Sequence, residues 1–187
     1  MKANRFVPVA LFTLTSALLS PSIVKAEEVV CQSTLGAVTV DNLRVPSGKT
    51  CNLNGTTVQG NIVVESNATL NANGVRVVGG VQSENAANVK VLSASTVGGS
   101  IQIKQGKAAT IKASQINGDL QFESNTSRLV AEGNTIGGSL QAFQNTGGIL
   151  IKTNNINGNL QCKENVPAPT GGSNVVQGVK EDQCAAL

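Results

Sequence analysis

A five-residue motif recurs seven times along this chain of 187 residues. Each copy has an aliphatic residue, a spacer, a glycine, a further spacer and a second aliphatic residue, although the last copy is degenerate. The motif glycines lie 19 or 20 residues apart, at Gly60, Gly79, Gly99, Gly118, Gly138, Gly158 and Gly178. A period of about 20 residues is typical of solenoids, whose stacked coils share one continuous core. The chain is therefore predicted to be a solenoid.

The residues around each glycine alternate between apolar and polar, which is the pattern of β-strands, because successive strand side chains point to opposite faces. A second apolar stretch lies seven to nine residues ahead of each glycine. Each coil should thus hold at least two short strands, joined by turns rich in Asn, Gly and Ser. We predict an all-β, single-domain parallel β-helix with coils of about 20 residues and a core that includes Phe122. This coil length favours the right-handed form over a left-handed hexapeptide helix.

The first 26 residues differ from the rest of the chain. Lys2 and Arg5 precede an apolar run over 6–19, and small residues precede Glu27, which is the layout of a secretory signal peptide. The run is shorter than the roughly 20 residues that span a bilayer, so no transmembrane segment is expected. We predict a secreted or periplasmic protein, divided into a signal peptide (1–26), an N-terminal cap and first coil (27–57), β-helix repeats (58–164) and a C-terminal loop and cap (165–187).

The net charge of the exported chain differs from that of the precursor. The precursor has 14 basic and 11 acidic residues, and three of the basic ones, Lys2, Arg5 and Lys25, belong to the predicted signal peptide. Eleven basic residues then balance eleven acidic ones. Nucleic-acid binding relies on clustered Lys and Arg that neutralise phosphates. No nucleic-acid partner is therefore expected.

Four cysteines in an exported chain are expected to form disulfides, for which three pairings exist. Cys31 and Cys51 are 20 residues apart, and Cys162 and Cys184 are 22 apart. One coil separates the members of each pair, which places them on adjacent rungs about 5 Å apart, within the span of a disulfide. We predict these two disulfides, one at each end of the repeats. A zinc site is disfavoured, since the chain has no histidine and no close cysteine pair.

Two polar columns run along the predicted coils. Asn67, Asn125, Asn145 and Asn165 lie seven residues after their glycines and suggest a ladder of turn asparagines. A stripe of glutamines, three residues after the glycines, faces outward on neighbouring rungs. It is interpreted either as a ladder of side-chain amides that hydrogen-bond to one another or as a binding face for glycan hydroxyls. Its members are Gln82, Gln102, Gln121, Gln141 and Gln161.

No catalytic, cofactor or metal site is predicted. The chain lacks His, Trp and Tyr, so the commonest general base is missing. Glu84, Lys104 and Glu123 would alternate in charge on adjacent rungs, as expected of a solvated face. Asp119 and Glu123 are about 13 Å apart along one strand, beyond the carboxylate separation of glycosidases.

The opening segment 45–53, the closing segment 158–162, and Asn165, Pro167 and Gln183-Cys184 resemble a group of secreted bacterial parallel β-helix proteins with disulfide-capped ends. That group has no assigned activity. The chain is more loosely similar to bactofilins, which are polymer-forming β-helix scaffolds.

The expected function is that of an exported, non-enzymatic β-helix with a structural, adhesive or interaction role at the cell envelope or outside the cell. Its partner would be a protein or glycan at the cell surface. The alternative is a polysaccharide-binding or polysaccharide-degrading β-helix, because secreted β-helices often hold extended polysaccharides. A lyase of that kind would need clustered aspartates and a basic residue on one face.

Overall fold

The computed structural model describes residues 27–187, all of whose regular elements are β-strands. The predicted signal peptide lies outside these residues. The strands are β1 (Glu28–Val30), β2 (Thr34–Leu35), β3 (Thr39–Val40), β4 (Asn42–Val45), β5 (Thr50–Asn54), β6 (Thr57–Val58), β7 (Ile62–Val64), β8 (Thr69–Asn73), β9 (Arg76–Val77), β10 (Val81–Glu84), β11 (Asn88–Leu92), β12 (Thr96–Val97), β13 (Ile101–Lys104), β14 (Ala108–Lys112), β15 (Gln115–Ile116), β16 (Leu120–Glu123), β17 (Leu129–Glu132), β18 (Thr135–Ile136), β19 (Leu140–Phe143), β20 (Ile149–Lys152), β21 (Asn155–Ile156), β22 (Leu160–Lys163), β23 (Thr170–Gly172), β24 (Val175–Val176) and β25 (Lys180–Asp182).

Every third strand pairs in parallel, which gives three sheets around one core. Sheet I has nine strands, from β1 and β4 through β22 to β25, and sheet II has eight, from β2 and β5 to β23. Sheet III has eight strands, from β3 and β6 to β24. Equivalent residues are mostly 19 or 20 positions apart, as in Ile62 with Val81 and Val81 with Ile101. The predicted all-β parallel β-helix is confirmed, and its handedness stays a prediction.

The core is a stack of mainly aliphatic columns, two from sheet I, two from sheet II and one from sheet III. The columns predicted from the glycine motif are buried, and Phe122 is fully buried among them. Ser83 interrupts one column between Val64 and Ile103 in the register of sheet I. Its hydroxyl is the one buried side-chain polar atom within residues 27–187 that has no hydrogen-bond partner. The other buried side-chain polar atoms of these residues all have hydrogen-bond partners, as expected of a stable fold.

The repeated glycines stack at the corner between sheets III and I. A side-chain oxygen of the preceding coil occupies the space that a β-carbon would take, which explains the glycine. A Cβ on Gly138 would lie 2.1 Å from Asp119 Oδ1, and one on Gly158 would lie 2.4 Å from Ser139 Oγ. These oxygens accept hydrogen bonds from the backbone amides of the next coil: Ser139 N donates to Asp119 and Asn159 N to Ser139. The motif therefore joins adjacent coils, and a larger residue at the glycine would displace the joining side chain.

A buried asparagine ladder occupies the corner between sheets I and II. Asn145 Oδ1 accepts hydrogen bonds from the backbone and side-chain amides of Asn125, and Asn165 Oδ1 does the same for Asn145. The predicted ladder is therefore present at three of its four positions. Asn67 is excluded: it is exposed with φ of 55°, and Ala68 takes the buried position. One additional residue between the strand and the corner in that coil moves Asn67 out of the column.

A second asparagine ladder, which the sequence analysis missed, fills the corner between sheets II and III. Asn134, Asn154 and Asn174 are buried, and each Oδ1 accepts the backbone amide of the equivalent residue one coil earlier. The side-chain amides donate to core-strand carbonyls, as Asn154 does to Ala131. These residues lie four before a motif glycine, so a search of every column at the 20-residue period would have found them.

Near the C-terminus, residues 165–169 of the predicted loop have no regular secondary structure, and the solenoid continues with β23. Leu150 pairs with Thr170, and Asn155 with Val175, so the 20-residue register is kept through β23 and β24. After β25, Gln183 closes the first asparagine ladder. Its Oε1 accepts both amides of Asn165, and its Nε2 donates to the Asn165 carbonyl. Gln183 thus replaces the asparagine that a further coil would supply.

Two corners of most coils contain a residue with positive φ, and several of these residues are not glycine. At the corner between sheets II and III, Thr153 has φ of 54°, whereas Gly74 and Gly133 occupy the same kind of position in other coils. A left-handed conformation costs an L-residue about 1–2 kcal/mol, and a β-branched residue is especially disfavoured there.

Replacement of Thr153 by glycine should therefore stabilise the protein. We expect the free energy of unfolding to rise by about 1 kcal/mol, because the left-handed strain exceeds the entropy that glycine adds to the unfolded chain. Denaturant unfolding monitored by circular dichroism measures this change. Thr135→Gly, at an exposed strand position, is the control and should destabilise. Equal destabilisation of both variants would contradict the prediction.

Candidate binding faces

Both predicted disulfides are present. Cys31 joins Cys51 with a Cα–Cα distance of 5.5 Å, and Cys162 joins Cys184 at 5.2 Å. All four cysteines are buried. The first bond ties the residue after β1 to β5, and the second ties β22 to the turn after β25. Each disulfide therefore fastens a terminal coil to its neighbour, and the pair points to an oxidising compartment outside the cytosol.

The predicted glutamine stripe runs across sheet I in direct register, Gln82 beside Gln102 and so on to Gln161. Only its C-terminal end forms a ladder. Gln141 Nε2 donates to Gln161 Oε1 at 2.9 Å, and Gln161 Nε2 donates to Glu181 Oε2 at 2.9 Å. Within residues 27–187, the side chains of Gln82, Gln102 and Gln121 make no hydrogen bond to protein groups. The stripe thus has two parts. Gln141 and Gln161 are hydrogen-bonded along the stack, whereas the other three side-chain amides have no partner among the described residues.

The free amides border an open concavity of about 500 Å³ on sheet I. Gln82 and Gln102 line it together with Glu65, Glu84 and Lys104. Glu65 accepts hydrogen bonds from the Ser47 backbone amide at 2.9 Å and from the Arg44 guanidinium at 3.1 Å. The Ser47 bonds, backbone first, and then Arg44 lower the pKa of Glu65 below its ordinary value. Glu65 is therefore held as a carboxylate beside the polar concavity.

The alternating charges predicted on sheet I form only in part. Lys104 Nζ contacts Glu123 Oε2 at 3.0 Å. Glu84, on the other side of Lys104 in the register, makes no ion pair among the described residues. Both partners of the Lys104 pair are more than two-fifths exposed, so the pair contributes little to stability.

The comparisons leave the family open. No family model, curated protein or solved structure matches the chain. The similarity to secreted bacterial β-helix proteins therefore stays an expectation from sequence. In the described part of the chain, no helix is long and apolar enough to cross a membrane. The same residues contain no group of three carboxylate or thiol side chains able to hold a metal ion.

Acidic and basic residues are distributed unequally among the three sheets, although residues 27–187 contain equal numbers of both. Ten of the eleven acidic residues in 27–187 lie on sheet I or directly beside its strands, with four basic residues, which gives this sheet a net charge of −6. Sheet II has six basic residues on or directly before its strands and one acidic residue, a net charge of +5. Sheet III has Arg76 alone. The basic residues of sheet II are Lys49, Lys90, Lys107, Lys112, Arg128 and Lys152.

The charge separation was not predicted, because it depends on the sheet to which each strand belongs. Sequence reasoning summed the charges and found none in excess. The basic residues of sheet II lie within or close to the second apolar stretch of the repeat, so a charge count kept separately for each predicted strand would have found the signal. Faces rather than pockets are thus the distinctive surfaces of this molecule.

Proposed function

We propose that the protein is an exported, non-enzymatic β-solenoid that acts through its outer faces at the cell envelope or outside the cell. The observation that carries this proposal is the charge separation between sheets I and II on a scaffold closed by disulfides. A rigid solenoid presents such faces in fixed register along its axis. Charge-separated faces favour association with charged partners, since complementary potentials steer and orient encounter.

The buried polar groups support a scaffold role. Asparagines and small polar residues at all three corners are engaged in bonds between coils, so they stabilise the stack rather than face a ligand. The polar residues available to a partner are those on the outer sheets. Disulfides at both ends fit the oxidising environment of an exported protein.

A polysaccharide-binding role is the second candidate, favoured by the concavity on sheet I. Gln82 and Gln102 present free amide donors and acceptors there, beside the Glu65 and Glu84 side chains. Such groups are suited to sugar hydroxyls. Carbohydrate degradation would require an acid and a base at this place.

The experiment is a combined binding and degradation screen on the oxidised protein. Binding to a glycan array or capture of defined surface proteins, without new reducing ends in polysaccharide substrates, is the expected outcome. New reducing ends that disappear in a Glu84→Gln variant would overturn the non-enzymatic proposal and assign catalysis to the sheet I concavity. An Asn155→Gln variant, changed on exposed sheet III, serves as the matched control.

A further inference from the structure

We propose that the outer face of sheet II is a docking surface for a linear carboxylated polysaccharide laid along the solenoid axis. This inference rests on the proposed interaction role and assigns it a face and a ligand chemistry. The surface consists of the outward side chains of Lys90, Lys112, Arg128 and Lys152, with Val130 and Leu150 between them.

The orientation of these side chains follows from the strand alternation. Lys90, Lys112 and Lys152 are each preceded or followed by a fully buried core residue, so they point outward. The register places Lys112, Glu132 and Lys152 on three successive rungs. Neighbouring rungs are about 4.8 Å apart, so Lys112 and Lys152 are separated by about 10 Å along the axis.

Most of these cations have no anionic partner within the protein. Lys112 forms an ion pair with Glu132 at 3.2 Å. Within residues 27–187, no carboxylate lies within ion-pair distance of Lys90, Arg128 or Lys152. Lys90, Arg128 and Lys152 lie on separate rungs and in different outward columns, so the unpaired cations are spread across the face of sheet II. A face of exposed, unpaired cations attracts a polyanion and releases its counterions.

The spacing of the cations favours a polysaccharide over nucleic acid. Duplex DNA has one charge per about 1.7 Å of its axis, far denser than one cation per rung or per two rungs. The only aromatic side chains among the described residues are Phe122, which is buried, and Phe143, which lies on sheet I. Sheet II therefore has no platform on which bases could stack. A uronate polymer has sparser charges and partly apolar ring faces.

The apolar and polar side chains between the cations suit such rings. Val130 and Leu150 are neighbours in the register, half-buried and level with the surface. Beside them, a concavity of about 140 Å³ is lined by Arg128, Gly147 and Gly148. The side-chain position of Gly148 is open there, since the nearest atom to a Cβ would be Pro167 Cγ at 3.8 Å. A carboxylate can therefore approach the guanidinium at this place. Arg is the residue that binds carboxylates in bidentate geometry.

The test measures binding of polygalacturonate oligomers to the oxidised protein by calorimetry at several salt concentrations, with neutral dextran as the ligand control. Arg128→Gln with Lys152→Gln should weaken binding by about tenfold and reduce its salt dependence. The matched control, Lys104→Gln with Lys163→Gln, removes the same charge from sheet I and should not weaken binding. Glu132→Gln, which removes the one acid of sheet II, should strengthen binding about threefold.

Three outcomes would overturn the inference. Equal weakening by the two double variants would mean that only net charge matters. Preference for duplex DNA, or for phosphatidylglycerol vesicles, over polygalacturonate would assign the face to another partner. Binding of neutral glycans or proteins with no polygalacturonate binding would refute the ligand class and leave the proposed interaction role intact. Circular dichroism of each variant shows whether the fold is retained.

Discussion

Replacement of Asn145 by leucine is expected to destabilise the protein by about 4 kcal/mol, a large part of the stability of a typical domain. Asn145 is fully buried and makes four side-chain hydrogen bonds, two as acceptor from Asn125 and two as donor to Phe122 O and Asn165 Oδ1. Leucine fills a similar volume but leaves the Asn125 backbone amide without its hydrogen-bond partner in a buried corner. Each orphaned buried group costs about 1–3 kcal/mol.

Denaturant unfolding measures this loss, with Asn155→Leu as the matched control. Asn155 is the same residue type, exposed on sheet III, so the same substitution there should change the free energy of unfolding by less than about 0.5 kcal/mol. Hydrogen exchange should also rise at the amides of Asn125 and Asn145. Similar free energies of unfolding for the two variants would show that Asn145 contributes no more to stability than a surface asparagine does.

The asparagine ladders show which part of this fold can be predicted from sequence. Every coil buries the same columns, so the motif glycines and the aliphatic residues around them recur at a fixed period and predict the solenoid. The polar columns also recur at the coil period, but their prediction requires the exact number of residues between the glycine and the corner in each coil. Asn67 was assigned to the ladder because a constant offset from the glycine was assumed, and one additional residue in that coil moves it to an exposed turn.

The cysteine pairs were predictable for the same reason. A separation of about one coil brings Cys31 near Cys51 and Cys162 near Cys184 wherever coils stack at a fixed rise. The end of the solenoid was harder to predict, because segment 165–172 has the composition of a loop and yet contains β23, which keeps the 20-residue register. Here backbone pairing with β20 outweighs local composition.

The faces of the molecule could be predicted only in part. The glutamine stripe follows from periodicity, but its division into bonded and free amides does not. That division depends on Glu181, which the last strand brings beside Gln161. Prediction of the charge separation would have required a charge count kept for each predicted strand, because all but one of the charged residues in 27–187 lie on or beside the strands of sheets I and II. Side-chain environment, unlike coil length, is thus a property of the assembled stack.

Removal of the C-terminal disulfide is the second substitution with a large expected effect. Cys162→Ala with Cys184→Ala opens a link between residues 22 apart, and the loss of this constraint on the unfolded chain should cost about 3 kcal/mol. Cys31→Ala with Cys51→Ala removes a link of almost the same length, 20 residues, and should cost a similar amount. The free energy of unfolding of both double variants can be measured under identical denaturant conditions.

The two variants should differ in where they loosen the fold, and hydrogen exchange measures that difference. Cys184 follows Gln183, whose side chain closes the asparagine ladder at Asn165. Without the C-terminal disulfide, β25 and Gln183 are held only by backbone pairing and by the side-chain hydrogen bonds of Glu181 and Gln183. Exchange should therefore rise first at Asn165 and β25 and then at Asn145. The N-terminal variant should leave these amides protected. Uniform loss of protection in both variants would contradict the expected local effect of each disulfide. It would mean that each disulfide acts only on the unfolded chain and that the Gln183 side chain closes the ladder at Asn165 without the disulfide.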